Sequence, residues 1–278
     1  VRGGGLAWQD SGFPATADQM GPNTALDDLW ANFTPAIVRD YLLLNYRSRV
    51  TDQKARQQMG KAVAAVNALH IASPDVIIDE RRRRMIMYYH GMGRGGYQHS
   101  AIAASADGLS FSPLGNTVFS TYLRSFRHGE NYYLLGMPGV VYRSDRPDGG
   151  FEPRDSLLFD VNMRHASAWA EDDILHVIWS RVGDEPERLL YSRVELSSPD
   201  WNDWVASEGV ELMRPAVPWE GSELPVMPSL RGESGEASRE LRDPYLFVDT
   251  DGRRYLYYVG SGEQAIGVAR LNQEGKLR

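Results

Sequence analysis

Cysteine is absent from the 278 residues, which excludes disulfides and thiolate metal sites. Lysine is scarce: Lys54, Lys61 and Lys276 are the only three, so arginine carries the positive charge. Positive charge is itself in deficit. The 30 Lys and Arg face 37 Asp and Glu, a formal net charge of −7. That balance argues against a nucleic acid or an anionic membrane surface as the main partner. No apolar run approaches the roughly 18 residues of a membrane-spanning helix. The chain opens at Val1 without a visible signal peptide. A secreted or periplasmic location is expected ahead of a cytoplasmic one, and whether Val1 is a processed start stays open.

What the chain does contain is a repeated β-rich phrase. Hydrophobic residues make up 42% and aromatics 10%, enough for a core, and the length suits one all-β domain. One unit reads SPDVIID (73–79), RMIMYYHG (84–91), SAIAASADG (100–108); another STYLRSF (120–126), NYYLLGMPG (131–139), VVYRSDR (140–146). A third reads RHASAWA (164–170), ILHVIWS (174–180), RLLYSRVEL (188–196), and a last RDPYLFVD (242–249), RYLYYVGS (254–261), QAIGVARL (264–271). Each opens on a short strand near a polar residue. A turn of Asp, Glu, Gly or Arg follows, then an aromatic strand, then a strand of small residues. Meanders repeated without intervening helices point to propeller blades, which must stack on neighbours to cover their faces. NFTPAIVRDYLLLNY (32–46) reads as a further blade placed first. The expectation is an all-β, five-bladed β-propeller occupying 1–278 as a single domain.

Two stretches break the rhythm. TDQKARQQMGKAVAAVNAL, near 52–69, has no proline and suits a short helix. It makes residues 1–70 an irregular first blade with an N-terminal extension. Residues 197–240, with WNDW and then PAVPWEGSELPVMPSLRGESGEASRE, read as a long loop. Long loops on a rigid scaffold often shape binding sites.

Taken together, HIASPDVIID, MYYHG, SADGLSF, MPGVVYRS, NMRHA, GDEPERLLYS and ELRDPYLFVDTDGRRYLYYVG resemble the five-bladed propeller glycoside hydrolase superfamily, in particular family 43-like proteins. The resemblance spans roughly 70–271. SADGLSF is similar to the Asp-box turn of sugar-active propellers, where it is structural. The resemblance implies hydrolysis of arabinosides or xylosides with inversion, by an Asp base from the first blade, an Asp that tunes the acid, and a Glu acid. This sequence departs from it at NFTPAIV, where Asn32 and Thr34 stand in place of an Asp. The base is left unassigned.

Polar residues at inner strand starts of a propeller converge on its axis. That expectation sets Asp75 and Asp243 at equivalent strand starts facing one pocket, as carboxylates for acid/base work. The bland alternative for each is a turn or backbone cap. Glu220 and Glu223, in PWEGSELP, are the candidate glutamic acids, against a reading as a solvated acidic loop. His70, Arg124, Arg164, His165 and Arg242 share the strand-start setting. They could bind sugar hydroxyls or a substrate carboxylate, or simply pair with acids. Trp219 could stack on a sugar ring. Trp201 and Trp204 suit packing, GDEPER (183–188) suits a loop with internal ion pairs, and the Tyr88-Tyr89, Tyr132-Tyr133 and Tyr257-Tyr258 pairs suit blade core.

The function expected is a carbohydrate-active enzyme, a glycoside hydrolase of polysaccharide degradation acting on an oligosaccharide or polysaccharide. The alternatives are a non-catalytic carbohydrate-binding propeller and a polysaccharide lyase. No cofactor is called for. His70, His90 and His99 match no metal-ligand spacing, and a Ca²⁺ in the channel is compatible with the sequence but has no support in it. The sugar, the linkage, the stereochemical outcome and the oligomeric state are not legible.

Overall fold

The computed structural model describes residues 71–92, 98–118, 120–232 and 234–271. The first blade expected at 32–46, the helix near 52–69, His70 and the Gly-rich 93–96 lie outside the described residues. Four sheets are present among them, each an antiparallel meander of sequence neighbours. Sheet one is β1 (Ile71–Asp79), β2 (Arg84–Met92), β3 (Gln98–Ser105) and β4 (Ser112–Val118). Sheet two is β5 (Thr121–His128), β6 (Asn131–Met137), β7 (Val140–Ser144) and the short β8 (Glu152–Pro153). Sheet three is β9 (Met163–Glu171), β10 (Ile174–Arg181), β11 (Leu189–Glu195) and β12 (Val210–Met213). Sheet four is β13 (Leu241–Val248), β14 (Arg254–Gly260) and β15 (Ala265–Leu271). Four blades, not five, are therefore described. The only helical pieces among the described residues are 3₁₀ turns such as Trp201–Asp203 and Pro218–Glu220.

The stretch 197–240 is less of a loop than its composition implies. It contains β12, which pairs with β11, and the Trp201–Asp203 turn, whose Asp200 side chain caps Asn202 N. VELM is too short, and too interrupted by Glu211, to announce a strand. Trp201 and Trp204 are buried, as packing residues should be.

The turns between the first two strands of each sheet repeat one device. Each contains a residue in the left-handed region: Arg83 (φ 52°), Gly129 (φ 56°), Asp172 (φ 52°) and Gly252 (φ 79°). Glycine holds this conformation without a Cβ clash; arginine and aspartate do so at a cost. SADGLSF closes a turn on its own side chains. Asp107 Oδ1 accepts from Leu109 N (2.9 Å) and Ser110 N (2.8 Å), and Ser105 Oγ accepts from Gly108 N (2.8 Å).

The chain divides into two compact units. Of the described residues, the first unit takes in those up to Ser125 with Glu130–Gly136 and Val140–Leu157; the second takes in Phe126–Gly129, Met137–Gly139 and those from Leu158 onward. The first has a core of Ile86, Tyr88, Ile102 and Val118 from sheet one with Leu123, Leu134, Val140 and Tyr142 from sheet two. The second packs Ile178 and Leu189 of sheet three against Leu241, Leu256, Tyr258 and Leu271 of sheet four. Burying each such side chain contributes about 1.5–3 kcal/mol before entropy is charged against it. Tyr88 and Tyr89 are both core, but Tyr257 is not: it is 42% exposed while Tyr258 is buried, because alternation sends it to the opposite face of β14.

Candidate functional site

The first strand of three sheets carries a bulge, two residues opposite one. Ser73-Pro74 of β1 oppose Tyr89, Arg164-His165 of β9 oppose Ser180, and Asp243-Pro244 of β13 oppose Tyr258. Ser73 (φ 50°) and Asp243 (φ 47°) are left-handed there, as is Tyr122 (φ 54°) on β5. A left-handed residue just before proline is doubly disfavoured, at a cost of about 1–3 kcal/mol. A bulge re-aims a side chain out of the alternating pattern. At Ser73 and Asp243 the fold offers the same aimed position, and 243 fills it with a carboxylate.

This register corrects one expectation. Asp75 and Asp243 are not equivalent: Ser73 is the counterpart of Asp243, and Asp75 corresponds to Tyr245, since both follow the bulge. Within the first unit, Asp75 pairs across β1–β2 with Tyr88 and is buried. Its Oδ2 accepts from Ser125 N at 2.8 Å and Ser125 Oγ at 2.5 Å. Arg124, beside Ser125, is buried and donates to the carbonyl of Leu123 at 2.9 Å.

In the second unit the strand heads come together. His165 Nδ1 lies 2.6 Å from Asp243 Oδ1, with the imidazole 3% and the carboxylate 30% exposed. At this distance Asp243 acts on the imidazole through its charge and through hydrogen bonding. Burial pushes the His165 pKa below 6.5; Asp243 and Glu187 oppose that fall and Arg164 adds to it. The imidazole is buried behind a partly exposed carboxylate, so Asp243 is the member of the pair that solvent can reach.

Behind this pair sits an ion cluster. Glu187 Oε2 meets Arg164 Nη1 at 3.1 Å and Arg242 Nη2 at 3.2 Å, and Oε1 accepts from Ser180 Oγ at 2.7 Å. Arg242 also contacts Glu240, and Glu263 at 2.8 Å. Arg164 donates to the carbonyls of Leu230 (3.0 Å) and Gly232. Burial works against the charge of Arg242, but Glu187, Glu240 and Glu263 outweigh it and raise its pKa. These partners engage Nη1 and Nη2 of both Arg164 and Arg242, so the two side chains hold the site together, while Arg242 Nε has no hydrogen-bond partner among the described residues. Removing one partner of such a buried group strands the others, at a cost of about 3–5 kcal/mol. Glu187, in GDEPER, was hidden by its charged neighbours, which do pair as expected: Arg188 lies 3.6 Å from Asp184.

The two loop glutamates differ. Glu220 is buried, and its oxygens accept from Ala216 N (2.7 Å), Val217 N (3.2 Å) and Tyr258 Oη (2.6 Å). Burial first, and Glu220 second, hold the Tyr258 phenol well above its ordinary range. Glu220 is thereby a cap and anchor, while Glu223 is exposed. The anchor presents Trp219, 46% exposed, whose ring lies over Tyr258 with centroids 6.0 Å apart and planes at 27°. Gly267 makes room for it: a Cβ there would stand 2.5 Å from the Trp219 ring. Among the described residues no group of three or more His, Asp or Glu is arranged to hold a metal ion.

The sequence matches no family model. It is 33% identical over 219 residues to an uncharacterised protein of Acanthamoeba polyphaga mimivirus, covering 72% of this chain and 61% of that protein. The chain thus spans less than two thirds of that relative's length. Among solved structures it is similar to a thermostable family-43 glycoside hydrolase (TM-score 0.55, 13% identity, 76% of this chain and 72% of that one). It is also similar to an endo-arabinase of Bacteroides thetaiotaomicron (0.53, 16%, 76% and 80%) and to an endo-1,4-beta-xylanase of the same organism (0.51, 17%, 76% and 72%). At these identities the likeness is one of fold: the chain is an all-β propeller of the kind those glycoside hydrolases adopt.

Proposed function

We propose that the protein is a carbohydrate-active propeller, a glycoside hydrolase that cleaves a glycosidic bond of an oligosaccharide or polysaccharide by carboxylate acid/base chemistry. One observation carries this reading. Asp243 is aimed by a left-handed bulge, is partly open to solvent, and rests on a buried His165. Strained backbone is kept where the surrounding structure over-determines it, and function is a common reason. With an imidazole at its back, Asp243 suits the activation of water more than the donation of a proton. Of the two loop glutamates, Glu223 is the proton-donor candidate, because the oxygens of Glu220 already serve the fold. Trp219 offers a flat apolar face of the kind that suits a pyranose.

A second reading, a carbohydrate-binding propeller without turnover, is favoured by the same feature of Glu220, which removes one of the two candidate acids. A screen of aryl glycosides and of arabino- and xylo-oligosaccharides separates the two. Release of reducing ends by the wild type, lost in Asp243→Asn, supports hydrolysis. Binding without products supports the second reading, and an unsaturated uronide product would indicate a lyase.

A further inference from the structure

The two strand heads of the second unit repeat a dipeptide pattern: an arginine, then the residue that meets its counterpart. Arg164 precedes His165 and Arg242 precedes Asp243. The second residues touch at 2.6 Å, and the arginines both reach the same oxygen of Glu187. Glu187 is in turn fixed at one bulge and just before the other. Its Oε1 accepts from Ser180, the residue opposite Arg164-His165, and its backbone carbonyl accepts from Leu241 N at 3.0 Å, one residue before Arg242. Two guanidinium groups gathered on one carboxylate would repel each other if it were neutral.

The same arginines hold the chain that follows Ser229. Arg164 donates to Leu230 and Gly232 carbonyls, and Arg242 Nη1 lies 3.5 Å from the Gly232 carbonyl. Ser229 itself is paired by backbone to the segment leading into Glu187, with Gly183 N to Ser229 O and Ser229 N to Asp184 O both at 3.1 Å.

We propose that Glu187 is the positioning residue of the Asp243 site: by gathering Arg164 and Arg242 it fixes the His165–Asp243 contact and latches the 229–232 segment beside it. The importance of that contact for turnover rests on the hydrolase reading; the clasp itself does not. The charged groups that face His165 are Asp243 from β13, Arg164 from its own strand and Glu187 from the turn before β11. Removing the Glu187 charge takes away one influence favouring the imidazolium and leaves Arg164 to oppose it.

The test is the ring-proton titration of His165 by NMR in the full chain, assigned with His165→Gln. In Glu187→Gln, His165 should titrate at lower pH than in the wild type. In Arg164→Gln, which keeps Glu187 and removes the nearby cation, it should titrate higher, and this variant carries the test alone if Glu187→Gln does not fold. Leu256→Ala, a core truncation on sheet four, should lower the melting temperature without moving His165. If a glycoside substrate is found, Glu187→Gln should lower kcat by up to about 10²-fold with KM little changed. An unmoved His165 in the charge variants, or an equal shift in Leu256→Ala, overturns the clasp. Absence of any hydrolysis overturns the functional reading and leaves the titration result standing.

Discussion

Nδ1 of His165 and Oδ1 of Asp243 stand 2.6 Å apart, one buried and one half-open. Because burial outweighs the carboxylate, the folded imidazole takes up its proton below 6.5. Between that lowered value and 6.5 the unfolded chain holds more proton than the folded one. Stability therefore rises with pH across this window and is lost on acidification through it. His176, partly buried and also lowered, contributes with the same sign. Urea midpoints measured from about pH 5 to about pH 7 should climb for the wild type and climb less steeply for His165→Gln, with the His176 share remaining. An unchanged slope would mean that His165 titrates as an ordinary histidine.

Glu220 and Glu223 should respond oppositely to the same substitution. Glu220→Gln places an amide N–H₂ among two backbone donors and a phenol that all require an acceptor. It should cost about 1–3 kcal/mol in a denaturation curve while leaving the turnover of the folded fraction near wild type. Glu223→Gln alters an exposed side chain and should leave stability within about 0.5 kcal/mol while reducing turnover. The reverse pattern would return Glu220 to the chemistry.

Trp219 depends on the missing side chain at Gly267. Gly267→Ala adds a methyl where the indole ring and the Tyr258 ring already sit. The ring must lift, so Trp emission should change and KM for an oligosaccharide should rise by roughly two- to tenfold, the worth of one aromatic stacking contact. A KM that stays put would separate Trp219 from substrate.

The repeated strand grammar was legible because side-chain alternation and left-handed turn residues leave local marks. RHGE and DTDGR announced the hairpins at Gly129 and Gly252. The short β12 and β8 were not legible, because two to four residues carry no period. The Asp75–Asp243 equivalence failed for a specific reason. The sequence match of SPD with RDP rests on their carboxylates, whereas the backbone matches them on Pro74 and Pro244, which follow the left-handed residue of each bulge. Arg164, His165, Arg242 and Asp243 were recognised as a polar group, but their partner Glu187 was not. Its role arises from contacts across strands that are remote in sequence, and no spacing within GDEPER reveals them.

The most direct measurement uses the backbone at residue 243. Its φ of 47° is one that glycine adopts without strain, so Asp243→Gly removes the carboxylate and preserves the bulge. On an aryl glycoside turned over by the wild type, this variant should lose about 10²–10⁴-fold in rate, and added formate, a carboxylate small enough for the vacated space, should restore part of it. A folded Asp243→Gly protein that hydrolyses at the wild-type rate would contradict the assignment of Asp243 as the working carboxylate.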